Sequence, residues 1–196
     1  MKKLYYLIIA VLFLAASCER KNKAVVSNKK VEKVKQELDL LTDSLNGSWK
    51  TMIASDDDKI AAVKRLLEEI SYTKKYDVLS LDSLKSLQEK LPSKRYTQEN
   101  VIESQKIDAY DLATDSLLKR TFRLVNSTPD IENHPLAKTL AEDIIEADNK
   151  VVVFRARYDR WAKEYNTYIE KHEKQREKLG PPYNSYTKKG LFTISR

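Results

Sequence analysis

Cys18 is the only cysteine in the 196-residue chain, and Leu14-Ala15-Ala16-Ser17 stands directly before it. Small residues at these positions fit the narrow pocket of a signal peptidase. A thiol that becomes the first mature residue is the nucleophile on which a diacylglycerol is mounted, and the pattern looks like a bacterial lipobox. Lys2 and Lys3 precede an apolar run from Leu4 to Ala16, which has the length of an export signal and falls short of the roughly 20 apolar residues a spanning helix needs. Residues 1–17 are therefore expected to be cleaved, leaving a chain held to a membrane by lipidated Cys18. With its one thiol acylated the chain forms no internal disulfide, so packing must supply its stability.

A second modification chemistry is written three times, as Asp43-Ser44-Leu45, Asp82-Ser83-Leu84 and Asp115-Ser116-Leu117. The tripeptide resembles the acceptor pattern of a bacterial O-glycosylation system acting on exported proteins, which makes Ser44, Ser83 and Ser116 candidate acceptors. The same pattern also arises wherever Asp and Ser lie on an exposed helix face beside a core leucine, and both readings stand.

Other chemistry is missing. A di-iron bundle needs Glu-x-x-His pairs, but Ile131 and Ile169 occupy the positions three before His134 and His172. Two histidines and one cysteine make no zinc constellation, and there is no nucleophile elbow or phosphate-cradling glycine loop. Glu142, Asp143 and Glu146 read as a solvated acidic face. No catalytic residue, metal or other cofactor is expected. The net charge of +7 invites a nucleic-acid partner, but lysines alternate with glutamates, as in Glu170-Lys171-His172-Glu173-Lys174, which is the pattern of solvated helix faces. Nucleic acid is therefore not an expected partner.

The elements that carry these residues are helices. Three glycines in the whole chain and a charged fraction of 33% disfavour turns and short strands. Leu140, Ile144, Ala147, Val151, Phe154, Tyr158, Trp161, Tyr165 and Tyr168 alternate spacings of four and three, predicting one helix from about His134 to Glu177. Val31, Val34, Leu38, Leu41, Leu45, Trp49 and Met52, resuming at Ile60, Val63, Leu67 and Ile70, predict a long first helix with a kink or register change near residue 55. A short helix through Leu81, Leu84, Leu87, Gln88 and Leu91 ends at Pro92. A fourth starts at Thr97 or Asn100 and carries Val101, Gln105, Asp108, Leu112, Leu117, Thr121 and Leu124 before Pro129, with Ile107, Tyr110 and Leu118 on neighbouring faces that leave its rotation in the bundle open. Short connections favour antiparallel neighbours. The expected organisation is an export signal (1–17), a lipidated basic tether (18–28), an all-α, elongated antiparallel four-helix bundle (29–180) and an irregular tail (181–196). Gly190-Leu191-Phe192-Thr193-Ile194 in that tail is either an extended strip on the bundle or a frayed end.

Pro129-Asp130-Ile131, Leu140, Ile144, Asp148-Asn149, Val151, Arg155, Tyr158 and Glu164-Tyr165-Asn166-Thr167 followed by Ile169 resemble, in the same spacing, the signature of the LemA family. Trp49, Val63, Leu66-Leu67-Glu68 and Ile70 are similar to that family's first long helix. Asp58-Lys59 replaces its arginine pair, Lys64 its proline, and Asp159 the asparagine of a first Tyr-Asn pair. The resemblance implies an elongated bundle of four long antiparallel helices presented from a membrane, with no defined biochemical role attached.

The matched residues also have a physical reading. Tyr158 and Tyr165 lie one heptad apart on the stripe, where a ring is buried and its hydroxyl finds a polar partner. Asn166 beside the stripe is placed to donate to a neighbouring helix, and Arg155 at its edge to pack its stem and meet a carboxylate. The expected function is a membrane-anchored envelope lipoprotein on the periplasmic side of the outer membrane, acting as a non-enzymatic helical scaffold for a protein partner. Tyr183 and Tyr186 offer a contact strip for that partner. The alternative is a module holding a lipid or an anionic glycan between its helices. A pocket lined by Trp49 and Trp161 with an unpaired arginine favours the alternative, and solid packing there favours the scaffold.

Overall fold

The computed structural model describes residues 2–193, with side chains from residue 28 onward. The export segment, Cys18 and the tether up to residue 27 thus lie outside the residues whose side chains are described, as does Ile194 of the tail. Among the described residues the fold is an all-α bundle of five α-helices: α1 (Lys2–Ser71), α2 (Val78–Lys90), α3 (Ser104–Ser127), α4 (Pro135–Lys171) and α5 (Glu173–Leu179). Among the described residues no helix is long and apolar enough to cross a membrane.

Local chemistry sets the boundaries. Asp77 caps α2, its carboxylate accepting the amide and the hydroxyl of Ser80 at 3.1 and 2.6 Å. Pro92, which lacks a donor, turns the end of α2 into a 3-10 segment over Leu91–Lys94. Pro135 opens α4, where no amide donor is required, and Gly180 ends α5 at φ +71. Two expectations are corrected. The last helix is interrupted at His172 instead of running on to Glu177. Thr97 and Asn100 close a turn of their own, the Thr97 amide donating to Asn100 Oδ1 at 2.7 Å, so α3 begins only at Ser104. That later start settles the open rotation of α3: Ile107, Tyr110, Thr114, Leu117, Leu118, Thr121 and Leu124 face inward, while Gln105 and Asp108 are exposed and Leu112 is 72% exposed. α1, by contrast, runs through Ser55-Asp56-Asp57-Asp58 as a single assigned helix.

α1 to α4 run antiparallel to their neighbours in sequence, as the contacts of Ile60 with Gln88, Ser83 with Arg120 and Asp111 with Arg155 show. α1 and α4 form the long spine, tied from Glu69 beside His134 at one end to Trp49 against Tyr158 further down. α2 and α3 cover only one half of that spine, where Val63, Leu66, Leu67, Ile70, Leu81, Leu84, Leu117, Leu140 and Ile144 are fully buried. Each such side chain contributes about 2 kcal/mol of burial. In the other half, Leu38 and Leu45 of α1 and Ala162, Tyr165 and Ile169 of α4 are also buried, each no more than 3% exposed, although among the described residues no third long helix reaches them. There α5 folds back on α1, and the tail after Gly180 returns along the α1–α4 seam as an extended strip, placing Leu191 and Phe192 against the core. The tail therefore replaces the missing helices.

Candidate functional site

The two halves meet at an aromatic and ionic junction assembled from five separate segments. α1 supplies Trp49, the loop after α2 supplies Tyr96, α3 supplies Tyr110, α4 supplies Tyr158, and the tail supplies Phe192. The Trp49 ring meets Tyr158 edge-on at 5.2 Å and Tyr96 at 6.1 Å, and it stacks on Phe192 at 6.3 Å. Phe192 in turn lies 5.5 Å from Tyr96 and 5.6 Å from Tyr158. Such edge-to-face pairs add about 1 kcal/mol each beyond their burial.

Arg155 crowns this cluster. Its guanidinium grips Asp111 of α3 through two parallel bonds of 2.6 and 2.7 Å, donates to the Tyr96 hydroxyl at 2.9 Å, and lies 4.9 Å over the Phe192 ring. Burial by itself would weaken the charge on Arg155, but the oxygens of Asp111 and Tyr96 outweigh it and its pKa rises above the usual guanidinium range. The expected carboxylate partner is thus present, and it ties α4 to α3.

Beside it runs a second network. Arg95 bonds Asp56 at 2.8 Å and Asp57 at 2.7 Å, and the Tyr110 hydroxyl donates to Asp56. Lys59, its side chain 4% exposed, reaches Asp148 of α4 at 3.0 Å and Asp56 at 3.5 Å. Burial first, then the Asp56 carboxylate, push the Tyr110 phenol well above its ordinary value. Between the two networks lies a cleft of about 220 Å³ whose lining includes Met52, Asp56, Tyr110, Asp148 and Val152. Each of its three cations, Lys59, Arg95 and Arg155, already holds a carboxylate. Among the described residues no group of three or more His, Cys, Asp or Glu side chains is arranged to hold a metal ion.

Along the seam below the junction, α4 reads the backbone of the tail. Asn166 donates to the Lys189 carbonyl and accepts the Lys189 amide, both at 2.8 Å, as a strand neighbour would. One heptad earlier, Asp159 accepts the amides of Phe192 and Thr193 at 2.8 and 2.9 Å and the Thr193 hydroxyl at 2.6 Å. Arg176, buried at the start of the return, donates to the carbonyls of Ile169, Tyr183 and Tyr186. Gly190 passes so close to the loop before α3 that a Cβ there would sit 2.9 Å from the Ile102 amide nitrogen.

No family model matches this chain, and neither a curated protein nor a solved structure does. The reading of the site therefore stands on its own geometry.

The structure brings Trp49, Arg155 and Tyr158 together, and sets Tyr165 and Asn166 along the seam beneath them. It keeps Trp161 apart, half-buried with the Arg160 guanidinium 4.9 Å over its ring. Asn166 serves the tail and not a neighbouring helix, because an extended strand needs both a donor and an acceptor and the amide side chain has both. The Tyr183 and Tyr186 strip is also corrected: both rings are packed against the bundle, and the Tyr183 hydroxyl donates to Asp39 of α1 at 2.9 Å. Of the three Asp-Ser-Leu sites, Ser83 and Ser116 are exposed, Ser44 is half-buried, and Ser83 accepts a bond from Arg120 at 2.9 Å. Leu45, Leu84 and Leu117 are all core.

Sequence reasoning did not single out Arg95, named Lys59 and Asp159 without a role, and placed Phe192 only in a tail that either lies on the bundle or frays. A signal existed for two of them, since Lys59 and Asp159 are charges standing against the apolar stripes, where only a specific partner repays their burial.

Proposed function

We propose that this chain is a LemA-like lipoprotein of the bacterial cell envelope, anchored through Cys18 on the periplasmic side of the outer membrane and acting as a non-enzymatic helical scaffold for a protein partner. One observation carries the reading. The junction spends its chemistry internally: every cation around the cleft is matched by a carboxylate, and the gap beside Trp49 is filled by the chain's own Phe192. A site built in this way fixes the register of helices and holds the spine rigid. It offers no free cation to an anionic glycan. Neither Trp49 nor Trp161 lines the cleft, which leaves the ligand-binding alternative without the feature that would favour it.

The lipobox-like pattern supports the anchor, and the long α1–α4 spine supports presentation of a surface away from it. The test is crosslinking and pull-down from intact cells with the native chain and Cys18→Ala side by side. The expected outcome is that Cys18→Ala leaves the membrane fraction and loses the crosslinked protein. If both chains fractionate with membranes equally, the anchor reading fails. If an enriched small molecule and no protein accompanies the native chain, the scaffold reading fails.

A further inference from the structure

α1 stops, α2 starts, α3 stops and α4 starts at one end of the bundle, where His134 stands beside Glu69. Three large apolar side chains there stay in water. Tyr72 is 70% exposed, Val78 55% and Leu79 83%, while their neighbours Thr73, Leu81 and Leu84 are buried. They flank a single turn whose Lys74 and Lys75 are exposed as well, and among the described residues neither lysine is ion-paired. One exposed apolar residue is ordinary, but three around one basic turn form a surface.

Beside that turn, α2 and α3 part to leave a pocket of about 240 Å³ whose lining includes Asp77, Ser80, Leu84, Arg120, Arg123 and Ser127. Its two cations are not spent as those of the junction are. Among the described residues neither guanidinium has a carboxylate within 4 Å. Arg120 donates to the Ser83 hydroxyl at 2.9 Å. Asp77 is the one carboxylate in the lining, and its oxygens are held by the amide and hydroxyl of Ser80. Asp82, two residues beyond Ser80, projects from the opposite side of α2. Leu79 lies one turn before Ser83 on the same face of α2, which sets its exposed side chain at the pocket's outer edge.

We infer that this end of the bundle docks on a bilayer that carries anionic phospholipid, with a lipid phosphate held by Arg120 and Arg123 and with Val78 and Leu79 entering the headgroup layer. Each feature finds its complement there. Phosphate oxygens supply the charged acceptors that the two guanidinia lack. The acyl boundary covers Leu79, which a free anion leaves wet, and the ring of Tyr72 suits the wet and apolar sides of the interface together. Lys74 and Lys75 add attraction to the negative surface. The surface lies at the opposite end of α1 from Cys18, so it is separate from the lipid anchor, and it does not depend on the scaffold reading.

The test needs a reporter at the surface itself, because the apolar run Leu4–Ala16 suffices to carry the full chain to any vesicle. In the full chain with Cys18→Ser, an environment-sensitive fluorophore is attached at Leu79→Cys or, as a control, at Leu112→Cys, which is 72% exposed on α3. Phosphatidylcholine vesicles containing phosphatidylglycerol should blue-shift the first fluorophore and not the second, and phosphatidylcholine alone should shift neither. Arg120→Gln with Arg123→Gln should raise the lipid concentration needed for the shift about 30-fold, at roughly fivefold per cation near an anionic surface. Lys174→Gln with Lys178→Gln, an equal loss of charge from exposed sites on α5, should change it by less than about twofold. Equal shifts at both positions, no shift at either, or equal losses from the two charge pairs overturn the proposal. So does calorimetry in which inorganic phosphate saturates the arginine pair while the vesicles leave Leu79→Cys unshifted, since the pocket then serves a free anion.

Discussion

Lys59 on α1 and Asp148 on α4 are joined at 3.0 Å across the centre of the spine, with the lysine all but sealed from water and the aspartate nearly half open to it. The asymmetry predicts unequal losses. Removing Asp148 leaves Lys59 with Asp56 at 3.5 Å and some solvent relief through the open side. Asp148→Ala should cost about 1 kcal/mol, in the range of partly exposed pairs. Lys59→Ala removes the buried cation, opens a cavity and strips one partner from Asp56, and should cost about 3 kcal/mol. Lys59→Met, which keeps the packing without the charge, should fall between them. Urea titrations of the three variants check the order, and an Asp148→Ala loss equal to that of Lys59→Ala would deny that burial controls the pair.

Arg155 holds Asp111 with two parallel bonds and Tyr96 with a third, a geometry that only a planar fork can make. Lysine at this position keeps the charge but makes at most one of the bonds and leaves the Phe192 face uncovered. Arg155→Lys is expected to cost about 2 kcal/mol, close to the loss from Asp111→Ala. In a double-mutant cycle the two should be strongly non-additive. Additive losses would mean that the pair does not tie α3 to α4.

Phe192 lies stacked against Trp49, so the tail's seating has an optical reporter. Phe192→Ala should destabilise by about 2 kcal/mol, less than a fully buried phenylalanine because the ring is half-buried. It should also red-shift the Trp49 contribution to the fluorescence as water reaches the indole, most clearly in a Trp161→Phe background. An unshifted spectrum with the full stability loss would place the effect elsewhere than the junction.

Burial pushes the phenols of Tyr158, whose buried hydroxyl has no hydrogen-bond partner among the described residues, and Tyr165 up to about 12, with a further push from Tyr186 on the second. The folded pKa values exceed the unfolded value near 10, so the fold binds the phenolic protons more tightly than the open chain does. The stability they contribute is whole below about pH 10 and is lost as pH climbs toward 12. Two such groups predict a steep alkaline loss, and Tyr158→Phe should flatten it. Exposed phenols such as Tyr72 ionise first, and the part of the phenolate absorbance that belongs to the buried phenols should rise late and together with loss of helix. Early, gradual ionisation of all phenols would contradict the buried placement.

The helical class and the spine were legible because apolar residues at three-and-four spacing have no other way to be buried together. Leu38, Leu45, Val63, Ile144 and Tyr165 read directly from the pattern to the core. α3 was not legible, because Ile107, Tyr110 and Leu112 put apolar groups on adjacent faces and only the turn at Thr97–Asn100 decides which one faces in. The junction was half legible. Trp49, Arg155 and Tyr158 lie on regular stripes, but Phe192 belongs to a segment whose contacts are all long-range, and a single aromatic in an irregular tail carries no period. Tyr183 was misplaced for the same reason, its partner Asp39 being distant in sequence.

Asp159 tests how firmly that irregular segment is held. Its carboxylate is buried, and it is satisfied by two amides and a hydroxyl of the tail, with no cation among them. Asp159→Ala removes the acceptor for the Phe192 and Thr193 amides at once and should release the strip while leaving α1–α4 contacts in the α2–α3 half intact. Asp159→Asn retains one carbonyl acceptor and should release it only in part. Limited trypsin digestion distinguishes these outcomes, because Lys188 and Lys189 lie in the strip and Lys189 is fixed by Asn166. The expected order of cleavage there is Asp159→Ala, then Asp159→Asn, then the native chain, with the helical circular dichroism signal little changed in all three. Equal cleavage rates would mean that Asp159 does not secure the tail, and the lower half of the spine would need another cover.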